Sequence, residues 1–316
     1  MRERLDITPE RYRRVAYVAL ASLSAIVLTG AAVRLTGSGL GCPDWPKCYG
    51  GTVPPLELHA VIEYGNRIIT GLVGLAVIAA SALAFFRRPF RSHLALFAAL
   101  LPIGVIAQAG LGALVVANHL APELVMGHFI LSMILLDAAF ALAWCSRYES
   151  GERPRSGDRL GVWAVRGLIP LGQLTVIAGT MSTGSGPHAG DHEGELVQRF
   201  DFQGAETLEW MVQRHSAIAA AFGLAAAATW LLLRRRGGER RALRPLGLVL
   251  ALLALQGAIG GVQWALELPA GVVWLHVAVA TLTWLALLWA VASAGRLEPR
   301  QATAPARAVP ERIGAT

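Results

Sequence analysis

Residues 108–128 read QAGLGALVVANHLAPELVMGH, and residues 256–276 read QGAIGGVQWALELPAGVVWLH. Each stretch opens on a glutamine, runs through small residues, turns at Leu120-Ala-Pro122 or Leu268-Pro-Ala270, and closes on a histidine 20 residues after the glutamine. The offset between them is 148 residues. A shorter match, Thr36-Gly-Ser-Gly39 against Thr183-Gly-Ser-Gly186, has an offset of 147. Glycines alone would report only close helix packing through small residues. The shared spacing of Gln, Pro and His points further, to a duplicated unit.

The surroundings of both stretches are apolar. Of 316 residues, 54% are hydrophobic and 16% charged, which exceeds the apolar content of an ordinary soluble domain. Crossing about 30 Å of hydrocarbon takes roughly 20 helical residues. Segments of that kind run over 15–33, 60–86, 94–117, 124–145, 162–183, 210–233, 245–266 and 270–294. The expected fold is therefore an all-α polytopic membrane protein, with eight transmembrane helices arranged as two pseudo-symmetric four-helix bundles. An even number of spans per repeat gives both halves one topology, related by an axis along the membrane normal. The expected divisions are an N-terminal segment 1–14, a first bundle 15–146, a linker 147–161, a second bundle 162–294 and a disordered tail 295–316.

The net charge of +7 comes from short clusters between spans, not from one basic face, so nucleic acid is not an expected partner. Arg2, Arg4, Arg11, Arg13 and Arg14 precede span 1; Arg87, Arg88 and Arg91 follow span 2; Arg147, Arg153, Arg155 and Arg159 follow span 4. Arg234–Arg236, Arg240, Arg241 and Arg244 follow span 6, and Arg296, Arg300 and Arg307 lie in the tail. The positive-inside rule makes these segments cytoplasmic and implies a plasma-membrane protein with both termini inside. Span 1 lacks a small-residue cleavage site and is expected to be retained.

Ionisable side chains inside hydrocarbon are costly and mark cavities or protein interiors. Span 2 carries His59, Glu63, Asn66 and Arg67 at helical spacing on one face. His128 in span 4, Arg214 and His215 in span 6, and His276 in span 8 lie at corresponding depth near the outer ends. A lone intramembrane histidine is as often a strut between helices. A matched set facing one another can instead ligate haem iron inside a bundle, with His215 and His276 as one pair. Asp137, deeper in span 4, either pairs with a neighbouring helix or faces a polar cavity. His93, His119, His188 and His192 are expected at surfaces. Cys42 and Cys48 occupy an outer loop on the oxidising side, where a disulfide is expected and two free thiols are the alternative; Cys145 has no evident partner.

The stretch Arg34-Leu-Thr-Gly-Ser-Gly-Leu-Gly-Cys-Pro-Asp-Trp-Pro-Lys-Cys48, the run His59-Ala-Val-Ile-Glu-Tyr-Gly-Asn-Arg67 and the repeated four-helix plan resemble the haem A synthases, over roughly residues 15–294. The resemblance implies oxidation of a ring methyl of haem O to a formyl group, by successive hydroxylation and loss of water, giving haem A for cytochrome c oxidase. It implies haem b as resident cofactor on His215 and His276, and a substrate haem received by the first half at His128, Asn66 and Arg67. Glu63 is the implied catalytic residue; a purely structural ion pair to Arg67 or Arg34 is the competing role. The implied partners are haem O synthase, an unidentified electron acceptor and membrane lipid, with self-association left open.

The family pattern in span 2 is Glu-x-x-His-Arg, whereas this chain has Glu63-Tyr-Gly-Asn66-Arg67. An amide is a poor iron ligand, so the substrate haem is held by His128 alone, or His59 substitutes, or one iron face is open. Two other readings compete: a di-haem electron-transfer protein of cytochrome b type, which would want two imidazoles in the first half, and a non-haem transporter, which would want broken helices at the midplane.

Overall fold

The structure is a computed structural model that describes residues 6–190, 197–237 and 240–298. His192, Arg2 and Arg4, and the tail from residue 299 on with Arg300 and Arg307, lie outside the described residues. Nine α-helices are described: α1 Pro9–Leu35, α2 Leu58–Phe86, α3 Ser92–Ala117, α4 Pro122–Cys145, α5 Arg159–Arg166, α6 Leu168–Ser185, α7 Thr207–Arg236, α8 Arg240–Ala265 and α9 Ala270–Ser293. With α5 and α6 taken as one span, eight segments among the described residues are long and apolar enough to cross a membrane. The chain is an all-α, multi-pass membrane protein.

The helix ends follow local chemistry. The Thr8 hydroxyl accepts the Arg11 N–H, and Pro9 occupies the first turn of α1, where its missing N–H costs nothing. Helix α7 stops at Gly237, whose φ of 62° is left-handed, with Arg234, Arg235 and Arg236 in the last turn against the negative end of the helix dipole. The fifth span differs from the unbroken helix expected: it breaks at Gly167 between α5 and α6. Pro170 cannot donate to the Arg166 carbonyl one turn back and its ring crowds that carbonyl, which places the break there.

Burial is turned inward on one stripe per helix. On α1 it is Tyr12, Ala16, Ala19, Leu23 and Val27, and on α2 Val73, Val77, Ala80 and Ala84. Side chains this small let backbones approach closely, and the Tyr12 hydroxyl donates to the Ala80 carbonyl at 3.2 Å. The outward faces stay apolar, with Leu72 61% and Ile106 72% exposed, as lipid contact requires. In the first half α1 packs on α2, α2 on α3, α3 on α4 and α4 back on α1; in the second, α6 packs on α7, α7 on α8, α8 on α9, and α6 touches α9. The halves meet where α1 contacts α9 and α4 contacts α6 and α9.

The two connections quoted at the outset recur bond for bond. Leu120 N–H donates to the Val115 carbonyl and Leu268 N–H to the Gln263 carbonyl; His119 pairs with Val116 as Glu267 pairs with Trp264. His119, Leu120, Glu267 and Leu268 all adopt positive φ, an unusual conformation for residues with side chains. Such an α3–α4 and α8–α9 turn reverses direction without glycine.

At the arginine-rich end, Arg87 is fully buried, its guanidinium on Glu149 and on the Pro89 carbonyl. Arg91 caps the end of α4 through the Cys145 and Tyr148 carbonyls. The tail, expected to be unstructured from residue 295, is ordered at its start: Arg296–Leu297 pairs in parallel with Arg155–Ser156. A bare backbone edge at 154–156 is thereby satisfied.

Candidate haem-binding and catalytic sites

His215 lies on α7 and His276 on α9. Their ring centroids are 6.3 Å apart, with planes at 64°. Two imidazoles on opposite faces of one iron, each at a metal–nitrogen distance of about 2 Å, place their ring centres about 6 Å apart. The spacing fits a shared iron. His215 Nδ1 lies 3.1 Å from the Thr175 carbonyl, which can only accept, so Nδ1 carries the proton and Nε2 keeps its lone pair for a metal. Behind the rings the opposing helices are reduced to glycine: a β-carbon at Gly179 would lie 3.0 Å from His215 Cε1, and one at Gly260 3.6 Å from His276 Cε1.

The first half repeats one side of this arrangement. Gln108 Nε2 donates to the His128 carbonyl at 3.0 Å, as Gln256 Nε2 donates to the His276 carbonyl at 3.1 Å. Gly112 faces the His128 ring as Gly260 faces His276. The buried atoms left without a hydrogen bond match too: His128 Nδ1 with His276 Nδ1, and Gln108 Oε1 with Gln256 Oε1.

The other side differs. Asn66 Oδ1 accepts from the Thr29 hydroxyl of α1 at 2.8 Å. One turn nearer the loop end, Glu63 is 6% exposed. Its Oε1 meets the Arg67 guanidinium at 2.5 Å, and its Oε2 accepts the Cys42 N–H at 2.7 Å. Cys42 and Cys48 form a disulfide. Arg67 also donates to the Asp44 and Lys47 carbonyls, at 3.0 and 2.8 Å. Carboxylate, guanidinium and disulfide loop are thus one unit. Gly41 is required beneath it, since a β-carbon there would fall 2.3 Å from the His59 carbonyl.

Of the remaining residues singled out in the sequence, His59 Nδ1 lies 3.0 Å from Ser38 Oγ, at the root of the loop. Arg34 does not reach Glu63; it donates to the His188 and Thr183 carbonyls of the second half, at 2.8 and 3.1 Å. His188, expected at the surface, links that arginine to the turn before α9, with Nε2 2.7 Å from the Leu268 carbonyl. The duplicated Thr-Gly-Ser-Gly motif, which ends beside each of these contacts, is the one sequence signal for this clasp. Asp137 accepts from Trp284 Nε1 of α9 at 2.7 Å, so it pairs with a neighbouring helix. His93 accepts from Arg91 at 2.9 Å.

A family model described as cytochrome oxidase assembly protein matches residues 13–61 and 57–288. The chain is 36% identical over 143 residues to the heme A synthase of Symbiobacterium thermophilum, covering 45% of this chain and 46% of that protein. It is also 36% identical over 141 residues to the heme A synthase of Alkalihalophilus pseudofirmus, covering 43% and 46%. Against the protoheme IX farnesyltransferase of Halobacterium salinarum it is 31% identical over 146 residues, covering 44% and 31%. Each of these alignments spans less than half of the relative's length. The family match takes in the disulfide loop, Glu63 and the half-buried His128, His215 and His276, and on it the chain belongs to the cytochrome oxidase assembly protein family.

Proposed function

We propose that this protein is a haem A synthase, a membrane oxidoreductase that converts the ring methyl of haem O to a formyl group. The observation that carries the reading is the inequality of two otherwise repeated sites. The second half has a facing imidazole pair, suited to holding a haem b permanently. The first half has one imidazole, His128, with a carboxylate fixed near the position the second imidazole would take. That is a site for chemistry on a haem.

In this reading His215 and His276 hold haem b, and bound haem b supplies a redox centre. The first half, 15–146, receives haem O through His128, Asn66 and Arg67. Glu63 takes up the proton released as the methyl C–H is oxidised and directs water toward that carbon. Its two hydrogen bonds, from Arg67 and from the Cys42 backbone, hold the carboxylate in one orientation while leaving lone pairs for the substrate. Each hydroxylation removes an electron pair, so an electron acceptor is a required partner. A substrate carrying a farnesyl chain requires a farnesylating haem O synthase as its supplier. The arginine clusters support a plasma-membrane location with both termini cytoplasmic.

The test is co-expression with a source of haem O, purification, and chromatography of the extracted pigments. Haem A or its hydroxylated precursor is expected beside haem b. Haem b alone would favour an electron-transfer protein of the cytochrome b type, and a preparation without haem would sink both readings. Glu63→Gln is expected to lower conversion about 100-fold or more while the haem b spectrum stays unchanged.

A further inference from the structure

The imidazoles of His215, His276 and His128 each lie over a glycine of the preceding helix: Gly179, Gly260 and Gly112. The fourth member of the set is Gly30 on α1, which precedes Asn66 by the same 36 residues that separate Gly179 from His215. A β-carbon at Gly30 would meet nothing within 4 Å. The space an imidazole takes over Gly179 is open over Gly30.

The hydrogen bonding agrees. Forty residues before His215 is the Thr175 carbonyl, which accepts from the imidazole Nδ1. Forty residues before Asn66 is the Ile26 carbonyl, and the group 3.2 Å from it is the Thr29 hydroxyl. Its one hydrogen goes to the nearer acceptor, Asn66 Oδ1 at 2.8 Å. A threonine–asparagine pair thus stands where the second half has one imidazole, and the amide oxygen is turned to α1. His59 is two turns earlier on α2, about 10 Å along the axis, and bonded to Ser38. Helix α2 offers no imidazole at the level of Asn66.

Resting on the haem O reading, we infer that the substrate haem is ligated by His128 on one face and keeps an open coordination position on the face toward α2, a binding site for a small neutral diatomic molecule. The class of ligand follows from the iron, since a haem with one imidazole ligand binds small neutral diatomics at its free position, and from the lack of an imidazole on α2 at the level of Asn66.

The test uses the full chain purified from cells that supply haem O, reduced with dithionite and titrated with carbon monoxide while the Soret band is recorded. Carbon monoxide is expected to shift about half of the Soret absorbance, since only one of two haems has a free face. Asn66→His, whose ring has room over Gly30, is expected to abolish that shift with both haems retained, and Asn66→Ala to preserve it. Two bound haems with no response in the unsubstituted protein would overturn this inference alone. A response absent from the unsubstituted protein and present in Asn66→Ala would make the amide a ligand and overturn it as well. A preparation with haem b but no second haem would overturn both this inference and the function on which it rests.

Discussion

At the scale of single residues, the contrast between Gly179 and Gly30 can be read out by adding one methyl group to each. Alanine at Gly179 forces the His215 ring away from its seat, at 3.0 Å from the new carbon. Gly179→Ala is therefore expected to lower haem b content, measured by the pyridine haemochrome per mole of protein. Gly30→Ala meets open space, so only the helix preference acts, and thermal stability is expected to hold or rise by up to about 1 kcal/mol. Glu63, Arg67 and the three histidines were legible in the sequence because charge in an apolar span has few bland explanations. The partners of Arg34 and His188 were not. Both bind backbone carbonyls eighty or more residues away in the chain, and a carbonyl carries no side-chain signature.

At the scale of elements, the spans followed from apolar length, and their ends from prolines, glycines and arginines. The break in the fifth span is announced by Gly167 and Pro170, but window-averaged hydropathy passes over a one-residue interruption. The turns before α4 and α9 were recognised as a repeat, but not their conformation: nothing in His119-Leu120 or Glu267-Leu268 suggests two consecutive left-handed residues. Holding a side chain there costs about 1–2 kcal/mol per residue. Glycine relieves that cost, and both His119 and Glu267 are exposed. Glu267→Gly is thus expected to raise the unfolding midpoint in detergent, and Glu267→Val to lower it, as measured by thermal denaturation followed by circular dichroism.

At the scale of the molecule, the two halves are fastened at the disulfide-loop end and again within the helices. Near the disulfide, Arg34 reaches across and Gly39 N–H donates to the Gly190 carbonyl at 2.9 Å. Trp274 Nε1 donates to the Leu28 carbonyl at 3.0 Å, and deeper in, Trp284 bonds Asp137. An interhelical hydrogen bond within a membrane is worth roughly 0.6 kcal/mol and at most about 1.7. Trp284→Phe is expected to destabilise by about that amount, and in a double-mutant cycle most of the loss should vanish in an Asp137→Leu background. The repeated motifs were visible in the sequence; the side-chain fastening was not, because Arg34, Trp274, Trp284 and Asp137 have no counterparts of their own type in the other copy.

Under the proposed function, that fastening bears on how a guest as broad as a porphyrin would enter. Parting the halves would break the Arg34 clasp and both tryptophan bonds at once. Helix α2 takes no part in the fastening described and turns Ile68, Leu72 and Leu75 outward. Under the proposed function, a haem dissolved in the bilayer would reach the first half past these lipid-facing side chains and not through the seam.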